Sequence, residues 1–114
     1  MKKIKNKITA KDAKVLNVSF REYYANFLKN KPKELKSYKR QVIAAFNKTH
    51  DIAAFLEGLK TIAMAERKVS DIAKSAGLER STVYKLLSKE ANPSFYNVSS
   101  IIKNLGISLT AHIN

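Results

Sequence analysis

The sequence of 114 residues contains no cysteine, only three glycines and two prolines, and no long hydrophobic run. Without cysteine the chain can form neither a disulfide framework nor a thiolate metal site, which fits a cytoplasmic protein. The scarcity of Gly and Pro argues against a turn-rich sheet protein and favours helices. Because the apolar runs span only a few residues, we expect no membrane-spanning segment. The basic N-terminus also lacks the apolar core of a signal peptide.

Positive charge is what the sequence has in excess, with 22 Lys and Arg against nine Asp and Glu and a net charge of +13. A basic balance of this size points to a polyanionic partner, most commonly nucleic acid. The charge is uneven, since residues 1–48 carry a net +11 and residues 49–114 only +2. Because 18 of the 22 basic residues are lysines, an AT-rich genome would also explain the excess, and composition leaves both explanations open.

The first half of the chain divides into a basic arm and a helical hairpin. Residues 1–14 have no apolar period, and we expect them to form a flexible arm. Residues 15–48 predict two helices, one beginning near Ser19 and the next near Pro32, which suits a first helical turn. The aromatic residues of this hairpin fall on one face, which favours packing on a core over a platform for stacking bases.

Residues 49–106 predict a further helical domain. Asp51 suits the N-cap of its first helix, whose apolar face starts at Ile52. The apolar face of its last helix starts at Phe95, and Gly106 stands where a left-handed cap ends the helix. Two short helices lie between these.

The tail, residues 107–114, changes to a period of two. Its apolar members are Ile107, Leu109, Ala111 and Ile113. This alternation predicts a short C-terminal β-strand, which needs a partner in an N-terminal segment such as Lys14–Ser19 or in a second copy. The predicted fold is therefore all-α, with five to six helices and a short C-terminal strand, and we expect a homodimer.

The stretch VSDIAKSAGLERSTVYKLLS, residues 69–88, predicts two short helices joined by a sharp turn. Ser70 suits the cap of the first helix, and Ala73 is small, as a close helix crossing requires. Gly77 supplies the positive φ that ends this helix, and Val83 is expected to pack the second helix against the core. These features together predict the DNA-binding helix-turn-helix, whose second helix lies in the major groove. Residues 49–106 as a whole are therefore predicted to form a helix-turn-helix DNA-binding domain. The alternatives are a generic helical hairpin and a helix-turn-helix reused to bind protein.

The exposed face of the second short helix predicts the DNA contacts. Arg80 is predicted to form a bidentate pair of hydrogen bonds with guanine, and Ser81 and Thr82 are predicted to contact bases or phosphates. Tyr84 suits a sugar or a thymine methyl. The remaining predicted contacts are to phosphate, from Lys68, Ser70, Lys85 and Lys89.

Residues 19–109 resemble the addiction-module antidote proteins, antitoxins that carry a Cro-type, XRE-like helix-turn-helix. The most specific pieces are IAKSAGLERSTVYKLLS and NPSFYNVSSIIKNLGI, and FREYYANFLKN and YKRQVIAAFNKTHD also resemble the leading helices of the family. The resemblance implies a lambda-repressor-like core, operator DNA as ligand, a small RelE/HigB-like toxin as partner, and repression of its own operon. Because RelE-like toxins are themselves basic, the basic arm is a poor candidate for toxin contact.

Other classes of function have less support in the sequence. His50 and His112 are isolated, no carboxylate pairs with a nucleophile at helical spacing, and no Gly-rich phosphate loop is present. We therefore expect no enzyme, cofactor or metal site. A free-standing repressor without a toxin is the main alternative, and a neighbouring gene for a small basic protein would separate the two. A pure protein-interaction module would show no salt-dependent affinity for DNA.

Overall fold

The structure is a computed structural model, and it describes residues 19–88, 92–108, 110 and 113. These residues form six helices and no strand, which confirms the predicted helical class for the described part of the chain. In chain order the helices are α1 (Phe20–Lys29), α2 (Pro32–Thr49), α3 (Ile52–Ala65), α4 (Val69–Ala76), α5 (Arg80–Leu86) and α6 (Phe95–Asn104). None of the described helices is long and apolar enough to cross a membrane. The predicted basic arm, residues 1–14, lies outside the described residues.

The helices begin where local chemistry favours a start. Ser19 Oγ accepts a hydrogen bond from the Glu22 amide at 3.1 Å, and Glu22 Oε1 accepts one from the Ser19 amide at 3.3 Å, which forms a capping box before α1. Asp51 and Ser94 cap α3 and α6 by accepting from the amide three residues further on. Pro32 occupies the first position of α2, where its missing amide costs no helical bond. The predicted starts at Ser19, Pro32 and Asp51 are confirmed.

Four of the described helices end on a residue in the left-handed conformation. Gly77 and Gly106 follow α4 and α6 with φ of 68° and 70°, and His50 and Arg67 follow α2 and α3 with φ of 57° and 56°. After α6, the amide that follows Gly106 donates back to a carbonyl in the last helical turn, which is the closed end predicted for this helix. His50 and Arg67 adopt this conformation at a cost on the order of 1 kcal/mol, since their Cβ atoms crowd the backbone there.

The core is built around α3, whose side chains Leu56, Leu59 and Ile62 are at most 1% exposed. Buried apolar residues of the three C-terminal helices pack around them: Val69, Ile72, Ala73, Val83, Leu87, Ile101, Ile102 and Leu105. The hairpin of α1 and α2 covers other sides of α3, and each of these helices packs more extensively against α3 than against the other. The hairpin is therefore fixed in place relative to the C-terminal helices.

The contact between α2 and α3 is closest at Gly58. A Cβ atom on Gly58 would lie 2.8 Å from Val42 Cγ2 and 2.9 Å from Val42 Cγ1, closer than packed side chains approach. Beside this point the rings of Phe46 and Phe55 stack with centroids 4.5 Å apart. Glycine therefore lets α2 lie directly on α3.

Helix α1 packs on α3 through Leu28, which is fully buried, and through an ion pair between Arg21 and Glu57. The rings of Tyr24 and Tyr38 form a T-shaped pair with centroids 5.3 Å apart. Burial, with a smaller contribution from Tyr38, raises the pKa of the Tyr24 hydroxyl above its usual 10.0. The helix is thus tied to both of its neighbours by partly buried side chains.

Lys39 of α2 joins the ends of two other helices. Its Nζ lies 2.6 Å from Glu66 Oε2, just beyond α3, and donates to the Leu105 carbonyl at 2.9 Å, just beyond α6. The side chains of Lys39 and Glu66 are 22% and 17% exposed, so the pair is partly shielded from solvent. A cation at the C-terminal ends of two helices also complements their dipoles.

The predicted C-terminal strand is wrong for the described part of residues 107–114. Ile107, Ser108, Thr110 and Ile113 are not in a strand, and Leu109, Ala111, His112 and Asn114 lie outside the described residues. The Ile107 amide donates to the Ile102 carbonyl at 3.0 Å, and its side chain packs against the core. The first residue of the predicted strand therefore belongs to the closed end of α6.

The buried apolar faces of α3 and α6 are each one residue shorter at their start than the spacing predicts. Ile52 and Phe95 are 59% and 76% exposed, although each falls in phase with buried residues of its helix. Both are the first residue of a helix, and within residues 19–88 and 92–108 no other element covers them. The spacing of apolar residues identifies the face of a helix on which a side chain lies, but not whether another element covers that side chain.

Candidate nucleic-acid interface

Helices α4 and α5 are joined by a three-residue turn, residues 77–79. The Leu78 amide donates to the Ala73 carbonyl at 2.8 Å, across the left-handed Gly77, and this bond closes α4. Glu79 is extended, with φ of −84° and ψ of 157°, and α5 begins at the next residue. The predicted turn at Gly77 is confirmed, and it arises from backbone conformation, because a Cβ atom there would meet nothing within 4 Å.

One face of the α4–α5 pair is buried against the rest of the protein. Ile72, Ala73, Val83 and Leu87 are each at most 5% exposed. The small Ala73 side chain lets α5 pass close to α4, as its place in the sequence predicts. Burial of these residues fixes α5 with its opposite face outward.

The structure brings five of the predicted DNA-binding residues together on α5. Arg80, Ser81 and Lys85 are exposed, and Thr82 and Tyr84 are half-buried. Arg80 and Ser81 are the first two residues of the helix, and Lys85 lies about one turn further on. The outward face of α5 therefore presents two cations and a hydroxyl group.

Tyr84 also has a structural contact within the protein. Its ring packs against the core, and Lys60 Nζ of α3 lies 5.8 Å from the ring centroid. A cation over an aromatic face is attracted to it. Tyr84 therefore helps to hold α5 against α3.

The predicted phosphate contacts beside α5 have different surroundings. Lys68 is half-buried, and its Nζ donates to the Asn104 carbonyl at the end of α6 at 3.2 Å. The prediction that Ser70 caps α4 is wrong, because α4 begins at Val69, Lys68 occupies the N-cap, and no side chain caps the helix. Ser70 is exposed within the first turn of α4. Lys89 lies outside the described residues.

Positive charge in the second half of the chain is concentrated around the α4–α5 pair. Residues 67–88 carry five Lys and Arg against two Asp and Glu, a net of +3, whereas residues 49–66 carry a net of −2. The two carboxylates are Asp71 and Glu79, in the first turn of α4 and at the N-cap of α5, where helix dipoles favour negative charge. The local field therefore suits a polyanion.

A cleft between α1 and the α4–α5 pair brings three polar residues that were not predicted, Glu22, Asn26 and Arg67, beside three predicted contacts. The polar side chains that line this cleft are Glu22, Asn26, Arg67, Ser70, Arg80 and Tyr84. Spacing along the chain shows that α1 is amphipathic, but not that its polar edge stands beside α5. That placement depends on how α1 packs on α3.

The fold and this surface define a small helical protein that exposes one short, cationic helix. Residues 23–113 match the family described as "Probable addiction module antidote protein", and the chain belongs to this family. The chain is also 35% identical, over 74 residues, to an uncharacterized protein of Haemophilus influenzae, a match that covers 65% of this chain and 71% of the relative. No solved structure matches the chain. An antidote family implies, in general terms, an antitoxin role and a toxin as partner.

Proposed function

We propose that this chain is a DNA-binding antitoxin that neutralises a small RelE/HigB-like toxin and represses its own operon. The observation that carries the proposal is the α4–α5 pair, in which a tight turn and a buried face leave the start of α5 exposed and cationic. Such a pair serves as a helix-turn-helix when its second helix enters the major groove. Membership of the antidote family supports the antitoxin role. The proposed activity is binding, with no catalytic step and no cofactor.

Two substitutions on α5 separate base recognition from phosphate contact. Arg80→Ala should cost about 1–3 kcal/mol of operator binding and relax discrimination at one base position. Lys85→Ala should weaken binding to all sequences about equally and lower the salt slope by about one unit. Lys33→Ala on the exposed side of α2 removes the same charge as a control. An Arg80→Ala variant that keeps full discrimination between operator and random duplex removes that residue from base recognition.

The antitoxin role is tested by co-expression with the protein encoded beside this chain. We expect that protein to arrest growth when expressed alone, and to form a stable, harmless complex with this chain. The Arg80→Ala variant should still rescue growth, because toxin capture does not require base recognition. If the neighbouring gene is harmless and no complex forms, the antitoxin role is contradicted, and a free-standing repressor becomes the better account of the same α4–α5 pair.

We further propose that two copies bind one operator. Two recognition helices placed about 34–36 Å apart would read two half-sites one DNA turn apart. Because the described tail residues form no strand, we propose that helical faces form the interface of this dimer. Sedimentation with an operator duplex should give two chains per duplex, and one chain per duplex would contradict the dimer. Operator DNA also places the protein in the cytoplasm under this proposal.

A further inference from the structure

The cleft between α1 and the α4–α5 pair lies directly beside the proposed base contact of Arg80. It has a volume of about 500 Å³, many times the roughly 30 Å³ that one water occupies in the liquid. Its walls come from separate parts of the chain, with Glu22 and Asn26 on α1 and with Arg67, Ser70 and Arg80 on the other side. All five side chains belong to exposed residues.

The charged groups of the cleft are two guanidinium groups and one carboxylate. Within the described part of the chain, neither Arg67 nor Arg80 forms an ion pair, so both guanidinium groups face solvent. Glu22 has its Oε1 engaged with the Ser19 amide at 3.3 Å. The cleft therefore offers hydrogen-bond donors on both walls, with one carboxylate on the wall that α1 forms.

The width of the major groove determines which part of DNA lies beside a helix that occupies it. The major groove is about 12 Å wide, and a helix with its side chains is about 10–12 Å across, so a helix in the groove is bordered closely by both backbones. Arg80 and Tyr84 of α5 line the same cleft as Glu22 and Asn26 of α1. An element that lies beside the exposed start of α5 is therefore well placed to contact a phosphate backbone when α5 occupies the groove.

We propose that α1 forms part of the DNA-binding surface, and that one sugar-phosphate strand passes through this cleft. Arg67, Ser70 and Asn26 donate hydrogen bonds to phosphate oxygens there, while Arg80 reaches the bases. Glu22 opposes the phosphates and lowers the affinity. This inference rests on the proposed DNA-binding function and extends its contact surface to a helix outside the α4–α5 pair.

An added carboxylate on α1 tests the contact directly. Asn26→Asp replaces a donor by a negative charge of the same shape, and about 4 Å from a phosphate this should weaken duplex binding about tenfold. Asn47→Asp is the matched control, because it adds the same charge at an exposed residue of α2 that lines a different groove. We expect less than a twofold change there. Affinities are measured by fluorescence anisotropy on a duplex from upstream of the chain's own gene, at roughly 0.15 M salt, with thermal unfolding to verify the fold.

Removal of a carboxylate should have the opposite effect. Glu22→Gln keeps a capping-box acceptor for the Ser19 amide while it removes the charge, and it should tighten duplex binding about threefold to tenfold. Glu34→Gln removes the same charge from the first turn of α2 and should change the affinity by less than twofold. Because Glu22→Gln and Glu34→Gln change the net charge equally, a difference between their affinities reports the position of the charge.

The outcomes separate this inference from the function on which it rests. If the Arg80→Ala variant loses discrimination but the α1 variants match their α2 controls, the proposed function stands and the role of α1 is overturned. If Asn26→Asp weakens only the complex with the protein encoded beside this chain, the cleft binds that protein and the DNA contact is overturned. If the wild-type chain binds the duplex with no dependence on salt or sequence, both proposals fail. Opposite shifts for Asn26→Asp and Glu22→Gln, with unchanged controls, support the contact.

Discussion

Substitution of Gly58 by alanine tests how closely α2 lies on α3. In the interior of an exposed helix this change stabilises a protein by about 0.5–1 kcal/mol, because alanine loses less backbone entropy on folding. Here the new Cβ atom would lie 2.8 Å and 2.9 Å from the two Cγ atoms of Val42. Since valine has one strongly preferred rotamer in a helix, its side chain cannot turn aside.

The expected magnitude follows from these two opposing effects. Overpacking of a core costs about 1–3 kcal/mol, which exceeds the gain in helix propensity, so we expect Gly58→Ala to destabilise the protein by about 1 kcal/mol. In a Val42→Ala background the nearest remaining atom is the Cβ at 3.4 Å, which is close to an ordinary contact. There the same substitution should stabilise by about 0.5–1 kcal/mol. The sign of the effect thus depends on one neighbouring side chain.

The assay is urea unfolding followed by circular dichroism for the wild type, both single variants and the double variant. The cycle should give a coupling of about 2 kcal/mol between the two positions, within the range found for residues in contact. If Gly58→Ala stabilises the protein equally in both backgrounds, α2 does not approach α3 at this point. The placement of the hairpin would then be wrong.

Three further perturbations test other parts of the fold. Gly77→Ala should destabilise by about 1 kcal/mol through its left-handed backbone alone, and Gly77→Asn by less; equal losses of melting temperature would contradict this. Lys39→Met should cost about 1–3 kcal/mol, because it leaves Glu66 without its cation and the Leu105 carbonyl without its donor, and an unchanged melting temperature would refute that contact. Because the pKa of Tyr24 is raised on folding, the folded state binds more protons than the unfolded state above about pH 10, so the free energy of unfolding should fall as the pH rises past that value. Tyr24→Phe should reduce this slope, and an unaltered slope would show that another group titrates.

The limits of the helices were predictable because local chemistry sets them. Ser19 and Asp51 accept hydrogen bonds from the first turns of their helices, and Pro32 fits where no amide is needed. Gly77 ends α4 because a left-handed residue is required there. Each of these features depends on residues within four positions along the chain.

The features that sequence reasoning missed depend on contacts between distant elements. Lys68 donates to a carbonyl 36 residues away, so its surroundings could not be inferred from the residues near it. The alternation after Gly106 resembles a strand, yet the Ile107 side chain packs against the core, to which α3, α4 and α5 contribute. The placement of Asn26 beside α5 likewise follows from how α1 packs on α3. Periodicity identifies the buried face of a helix, but not the neighbour that covers it.

The most direct test of the proposed function is the affinity of the chain for a duplex from upstream of its own gene, compared with a duplex of the same composition in scrambled order. At roughly 0.15 M salt we expect the upstream duplex to bind at least about 10³-fold more tightly, as specific DNA-binding proteins do. The Arg80→Ala variant should lose much of this difference. Equal affinities for the two duplexes, with the same dependence on salt, would contradict recognition of an operator by α5.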